Sequence, residues 1–259
     1  MKLTTEIKFD CKYFIGDRPC RPNKELGVFC PVCSFYEKDE GIKTAFPEIG
    51  KPEPGSAAEG DKKIIIVKID AVGDVLRTAS ILPSLKEKYF DSSIIWITKQ
   101  RSFPVLADNE LIDEIYFDSD DLEHIYNDEF DIAINLDSGS ESCMIMSRIN
   151  AGERFGYTLV NGKPYPLNEL AMEWYLMGVD DNRKRANIKT YHRIIHEICG
   201  LNYVNTKPQL QLPAEKQMRI AVLKEKFDMG KFDEIILINL GGGNRWQYKK
   251  WTKEGYAGL

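Results

Sequence analysis

The sequence predicts an α/β protein built on a parallel sheet, with a cysteine-rich segment in front of it. Two observations predict the sheet: short, wholly apolar runs such as Ile64 to Val67 recur along the chain, and stretches with helical spacing separate them. A third sets the front segment apart, since Cys11, Cys20, Cys30 and Cys33, four of the six cysteines, fall within the first 33 residues. With 259 residues, 43% of them hydrophobic, the chain can bury a sizeable core. No apolar run approaches the roughly 20 residues of a membrane helix. The first ten residues lack a secretory signal, so a cytoplasmic location is expected.

The net charge of −5 argues against general affinity for nucleic acid. The acids are unevenly spread: between Ser102 and Ser147 there are 13 Asp or Glu and no Lys or Arg, which leaves 35 basic against 27 acidic residues elsewhere. An anionic partner is expected to avoid the acidic stretch, which reads otherwise as a solvated face.

Taken in order, residues 1–45 form the cysteine-rich segment, and residues 46–61, with Pro47, Pro52, Pro54, Gly55, Ser56 and Gly60, read as a linker. The body, residues 62–207, opens with a buried strand from Lys63 to Ile69. Helical spacing follows from Asp74 to Tyr89 through Val75, Leu76, Ala79, Leu82 and Leu85, and Pro83 is expected to kink or divide that helix. Strands are predicted over Ser93 to Thr98, Asp113 to Phe117 and Asp131 to Leu136. Helices are predicted from about Glu141 to Asn150 and over Tyr191 to Cys199, giving βαβ units and hence a parallel sheet. Leu201 to Leu212 reads as an extended connector. Residues 208–259 then open a second unit, with an amphipathic helix over Ala214 to Phe227 and a buried strand over Glu234 to Leu240.

Three constellations could carry chemistry. The first, Val67 to Thr78, puts a tight turn and a helix start at the end of the first strand, where open α/β sheets bind ligands. Only Gly73 of a three-glycine dinucleotide fingerprint is present, which argues against a nicotinamide enzyme. Asp74 reads either as the N-cap of the helix or as a carboxylate at the mouth of a cleft, placed to take a proton from a substrate hydroxyl. The second constellation runs from Asn239 to Trp251, where Gly241, Gly242, Gly243 and Asn244 follow a strand and precede Lys249 and Lys250. Glycine amides and a lysine suit a phosphate; the other reading is a loop whose Trp246 and Trp251 simply pack.

The third constellation is the front segment. Cys30 and Cys33 have the spacing of a metal knuckle, and Cys11 and Cys20 complete a set of four thiols. Zinc, an iron–sulfur cluster on the same ligands, or no metal at all are the readings open to it. A further basic cluster, Arg183-Lys184-Arg185 with Lys189, His192 and Arg193, reads as an exposed loop entering a helix or as a contact for a phosphorylated or acidic sugar acceptor.

The first two constellations together resemble glycosyltransferase family 9, the heptosyltransferases that build the lipopolysaccharide inner core. Gly73-Asp74-Val75 is similar to the turn closing the family's first strand, and Pro83 to a proline of its next helix. Asp131 to Thr158, with Arg154-Phe155-Gly156-Tyr157, looks like a later strand and helix. Asn239 to Trp251, with Lys249 two residues before Trp251, looks like the opening of its second domain. The resemblance spans residues 62 to 259. It implies a GT-B architecture of two facing Rossmann-like domains, the second one truncated in this chain. It also implies inverting transfer from a nucleotide diphosphate sugar of the ADP-heptose kind to a lipopolysaccharide-core or other lipid-linked envelope glycan. Under it Asp74 is the general base, while Gly241, Gly242, Gly243, Asn244 and Lys249 hold the donor. Gly73, Arg183, Arg185 and Lys189 are the candidate acceptor contacts. Peripheral contact with the inner membrane fits such an acceptor, and the chain by itself is expected to be inactive as a transferase. The reading from another class is a non-catalytic nucleotide- or glycan-binding protein whose cysteine-rich head contacts a partner.

Overall fold

In the computed structural model, which describes residues 7–16, 18–50, 61–205, 210, 212–236, 238 and 251–258, the apolar runs become the middle of a sheet. The chain divides into two compact units, Met1–Gln211 and Leu212–Leu259. The first contains strands β1 (Lys63–Val67), β2 (Ser93–Thr98), β3 (Glu114–Phe117), β4 (Glu129–Asn135), β5 (Asn150–Val160) and β6 (Lys163–Pro166). They lie in the order β3-β2-β1-β4-β5-β6, parallel throughout except for the antiparallel β5–β6 pair.

The absence of polar alternation in β1 has a direct cause, because both faces of the sheet are covered. Ile64 and Ile66 join a core cluster with Ile94, Trp96, Ile132 and Ile134, while Ile65 and Val67 join a second cluster with Ile95, Ile97 and Ala133. Helices α2 (Val72–Thr78), α3 (Leu82–Lys88), α6 (Glu169–Val179) and α8 (Tyr191–Ile198) supply Val75, Leu82, Leu85, Met172, Leu176, Ile194, Ile195 and Ile198 to the first cluster. The second is closed by Ile125 of α4 (Glu123–Tyr126) and by Ile145 and Met146 of α5 (Ser140–Arg148).

The helix predicted from Asp74 to Tyr89 is divided, with a 3-10 turn over Ala79–Ile81 between α2 and α3. Pro83 falls in the first turn of α3, where its missing N–H costs nothing. The helix predicted to reach Asn150 ends at Arg148 instead, because Asn150 pairs with Glu129 and starts β5. Within β5, Gly156 approaches the end of β4 so closely that a Cβ on it would lie 1.8 Å from the Asn135 carbonyl oxygen, and its φ is +90°. Only glycine fits there.

The β5–β6 hairpin turns through Asn161 and Gly162, with φ of 50° and 73°. That hairpin receives the cysteine-rich segment, which carries the short helix α1 (Arg21–Leu26). Phe9 meets the Tyr165 ring edge-on at 4.7 Å, and Phe46 stacks on the same ring at 5.3 Å. Lys163 Nζ binds Asp39 at 2.8 Å and donates to the Cys11 carbonyl at 2.9 Å, and Gly50 bridges to Asn168. Ile7, Phe9 and Phe14 are buried in the first core cluster. The segment therefore shares the core of the body, and Phe46 to Gly50, assigned by composition to the linker, are packed or bridged.

The second unit contains α9 (Ala214–Lys226), a 3-10 turn over Met229–Lys231 and α10 (Lys253–Ala257). The strand predicted over Glu234 to Leu240 does not form at Glu234, Ile235, Ile236 or Ile238, and its other residues lie outside those described. The described part of this unit offers it no partner strand, and a strand without a ladder leaves its backbone groups to water.

Candidate functional site

The sheet order reverses at β1, with β2 on one side and β4 on the other, so a crevice opens at the carboxyl ends of β1 and β4. Lys68, the residue after β1, is buried, forms an ion pair with Asp137, and donates to the Leu136 carbonyl at 3.2 Å. The second Asp137 oxygen accepts the amides of Ile69 at 2.8 Å and Asp70 at 3.0 Å, while the Asp137 amide reaches Asn135 Oδ1 at 3.0 Å. Burial works against the Lys68 ammonium, yet the neighbouring groups, Asp137 first and then Tyr191 and Asp74, together outweigh it and Lys68 titrates above its ordinary value. The two strand ends are thus stitched together beneath the crevice.

Above this stitch lies a cleft of about 270 Å³ lined by Lys68, Asp70, Asp74, Arg77, Leu136, Asp137, Ser138, Trp174 and Tyr191. Asp74 is the third residue of α2. It does not cap that helix, because Ala71 occupies the cap position and no side chain bonds there. Instead the Asp74 carboxylate pairs with Arg77, whose guanidinium lies 4.2 Å from the centre of the Tyr191 ring, and Tyr191 OH shares a 3.0 Å hydrogen bond with Thr78 Oγ1. Trp174 meets Tyr191 edge-on at 5.8 Å. A carboxylate aimed by a guanidinium and open to a cleft can take a proton from a bound hydroxyl. A Cβ at Gly73 would meet nothing within 4 Å, so the helix start is open as well.

Sequence reasoning gave no role to Asp70, Asp137, Arg77, Trp174 or Tyr191. The carboxylates carried a usable signal, since Asp70 and Asp137 each stand just past the end of a buried strand. Burial, and then the charge of Asp137, push the Asp70 carboxyl above the ordinary carboxylate range.

Arg183, Lys184 and Arg185 of the basic cluster lie in a helix, α7 (Asp181–Ala186), capped by Asp180, which accepts from the amides of Asn182 and Arg183, while His192 and Arg193 belong to α8. Arg183 Nε lies 3.6 Å from Asp180, and Lys189 Nζ binds Glu197 at 2.7 Å. Neither these two nor Arg185 lines the Asp74 cleft. Lys184 and Arg18 line a neighbouring cavity that shares Ser138 and Trp174 with it. Gly241, Gly242, Gly243, Asn244 and Lys249 lie outside the described residues.

The fold has a solved counterpart. The chain is similar in fold to a glycosyl transferase of family 9 from Veillonella parvula, with a TM-score of 0.53 and 21% identity, over 78% of this chain and 60% of that one. The E. coli ADP-heptose lipopolysaccharide heptosyltransferase II aligns with a TM-score of 0.38 at 15% identity, over 64% of this chain and 50% of that one. The E. coli heptosyltransferase WaaC with ADP aligns with a TM-score of 0.37 at 15% identity, over 57% of this chain and 50% of that one. The chain therefore spans about 60% of the length of the V. parvula protein. No family model and no curated protein matches the sequence.

Cys11, Cys20, Cys30 and Cys33 are free and half-buried, and all four line one cavity of about 160 Å³. Burial first, then the neighbouring Cys20, Cys11 and Cys33, push the Cys30 thiol up, against a backbone hydrogen bond from Lys8. Among the described residues no group of three or more His, Cys, Asp or Glu side chains is placed to hold a metal ion. The four thiols, candidates for zinc or an iron–sulfur cluster in the sequence, thus border one cavity. Cys143 and Cys199 are buried in the core, as packing residues.

Proposed function

We propose that this chain belongs to an inverting glycosyltransferase of the heptosyltransferase kind and supplies its acceptor-side domain. The protein moves a sugar from a nucleotide diphosphate sugar to a cell-envelope glycan of the lipopolysaccharide-core type, working on the cytoplasmic side of the inner membrane. The observation that carries this reading is the Asp74 carboxylate, oriented by Arg77 in a cleft at the point where the sheet order reverses. The fold shared with a family 9 structure supports it.

The chemistry follows from what the reaction needs. An acceptor hydroxyl attacks the anomeric carbon only as its proton leaves, and Asp74 takes that proton. Arg77 holds the carboxylate toward the cleft, and the Trp174 and Tyr191 rings give a sugar apolar surface beside it. The bond from the anomeric carbon to the diphosphate breaks with its electrons on the leaving group, whose charge needs donors and a cation; the amides of Gly241, Gly242, Gly243 and Asn244 and the Lys249 ammonium are assigned that role. Attack from the acceptor side, opposite the departing diphosphate, inverts the anomeric centre. Of the acceptor contacts, Gly73 lies on the open helix start, whereas an acidic acceptor long enough to pass Trp174 reaches Arg18 and Lys184 next.

The test is Asp74→Asn in the whole protein, assayed by transfer from a panel of nucleotide diphosphate sugars to lipopolysaccharide-core acceptors. Turnover should fall by about 10² to 10⁴ with the melting temperature unchanged. Turnover near that of the parent would remove Asp74 as the base. Tight donor binding by the parent without any transfer would instead make the protein a binding module.

A further inference from the structure

We propose that the front segment completes a second acceptor subsite, in which Arg18 and Lys184 bind an anionic group, a phosphate or a carboxylate, on the sugar next to the one that reacts. The proposal deepens the acceptor-side reading of the Asp74 cleft and rests on it. A cavity of about 480 Å³ adjoins that cleft and shares Ser138 and Trp174 with it, so a glycan that leaves the cleft past the Trp174 ring enters this second space.

The two spaces differ in charge. The Asp74 cleft has three carboxylates, Asp70, Asp74 and Asp137, against two cations, and both cations are already ion-paired, Lys68 with Asp137 and Arg77 with Asp74. An anionic substituent is repelled there. The adjoining cavity has Arg18 and Lys184, and no Asp or Glu among its described lining residues. An acceptor with a neutral sugar at Asp74 and a charged one beyond Trp174 matches both linings.

Local structure fixes where the two cations stand. Gly16 packs on the β5–β6 hairpin so tightly that a Cβ there would lie 2.3 Å from Pro164 Cδ, and its φ is +88°. Pro19 disfavours helical backbone at Arg18. The chain on either side of Arg18 is thus constrained, and its side chain lines the cavity from the front segment. Lys184 lines it from α7, whose first turn is held by the Asp180 cap. A guanidinium and an ammonium from two distant parts of the chain meet an anion from two directions, and the guanidinium fork fits a phosphate and a carboxylate alike. The front segment therefore has a part in choosing the acceptor.

The test is binding without donor, so it does not depend on turnover. Calorimetry on the whole protein compares cellobiose, cellobiose 6′-phosphate and cellobiouronic acid, which share a disaccharide and differ in charge. The parent should bind one of the two anionic sugars at least about tenfold more tightly than cellobiose. Which of them is preferred identifies the group as phosphate or carboxylate. Arg18→Gln and Lys184→Gln should each remove most of the preference and leave the affinity for cellobiose unchanged. Charged disaccharide bound with this preference, but no sugar transferred, would leave the subsite standing and remove the transferase reading. Equal affinity for all three sugars, or no binding of any, would overturn the proposal. So would a preference that survives both substitutions, or variants that weaken cellobiose as much as its charged forms.

Discussion

The Lys68–Asp137 and Asp74–Arg77 ion pairs stand at the same carboxyl edge of one sheet, and their side chains are 4% exposed at both partners of the first but 37% at Asp74 and 47% at Arg77 in the second. The buried pair has no latitude. Each Asp137 oxygen is occupied, one by Lys68 and the other by two backbone amides, so the pair is part of how β1 and β4 end together. The exposed pair has no such backbone partners on Asp74, and its guanidinium rests on Tyr191. Two carboxylates paired with cations in one short region thus do different work, and what separates them is desolvation. A charge pair removed from water is costly to disturb, whereas one left in a cleft is free to exchange its partner for a ligand.

The contrast is sharpest in Lys68→Met, which strands Asp137 as an uncompensated buried charge. Denaturant unfolding should show a loss of about 3 to 5 kcal/mol, and a change below 1 kcal/mol would dissolve the distinction. In the parent, the contribution of Lys68 is present below its unfolded-state pKa, because its folded-state value is raised. It should be lost only as the pH climbs through that raised value on the alkaline side.

Asp74→Asn gives the opposite profile, with the large fall in turnover stated above and a stability change within about 1 kcal/mol, as for exposed pairs. Arg77→Ala removes both the ion pair and the contact with Tyr191, and should cost about 0.5 to 1 kcal/mol; thermal melts of the two variants side by side would show whether the guanidinium is bound to the ring as the structure has it. The smallest effect belongs to Asp70. Its folded-state carboxyl is raised, so the stability linked to it is present below the unfolded carboxylate value and lost as the pH rises through the folded one. Asp70→Asn should therefore be slightly more stable than the parent near neutral pH, with the gap closing in acid; a gap that widens in acid would put Asp70 in a different environment.

Much of the scaffold was legible in the sequence. β2 runs from Ser93 to Thr98 as predicted, and the apolar runs of β1 and β4 announced a sheet covered on both faces, because a strand that meets water on one side must alternate. Other elements were missed although their signals were present. Asn161-Gly162 is a strong short-range mark of a two-residue hairpin, with φ positive at both positions. Asn168 followed by Glu169 is a helix start, and its side chain does cap α6 through the Ala171 amide at 2.9 Å. Missing these two elements meant missing Trp174 and the platform that holds the front segment.

What the sequence determined by itself was local: which runs are buried, that a helix start with Gly73 and Asp74 follows the first strand, and that four thiols gather in one short segment. Those properties depend on neighbours a few residues away. Only the tertiary structure decided which charges are structural and which are open, for Asp137 becomes a buried partner only because β4 lies against β1, and Asp74 faces a cleft only because Trp174 and Tyr191 arrive from helices a hundred residues on. It likewise joined the front segment to the core, through Tyr165 and Lys163 of a hairpin about 150 residues later than Cys11. Desolvation and ring contacts are set by what packs against a residue, and composition along the chain carries no record of that.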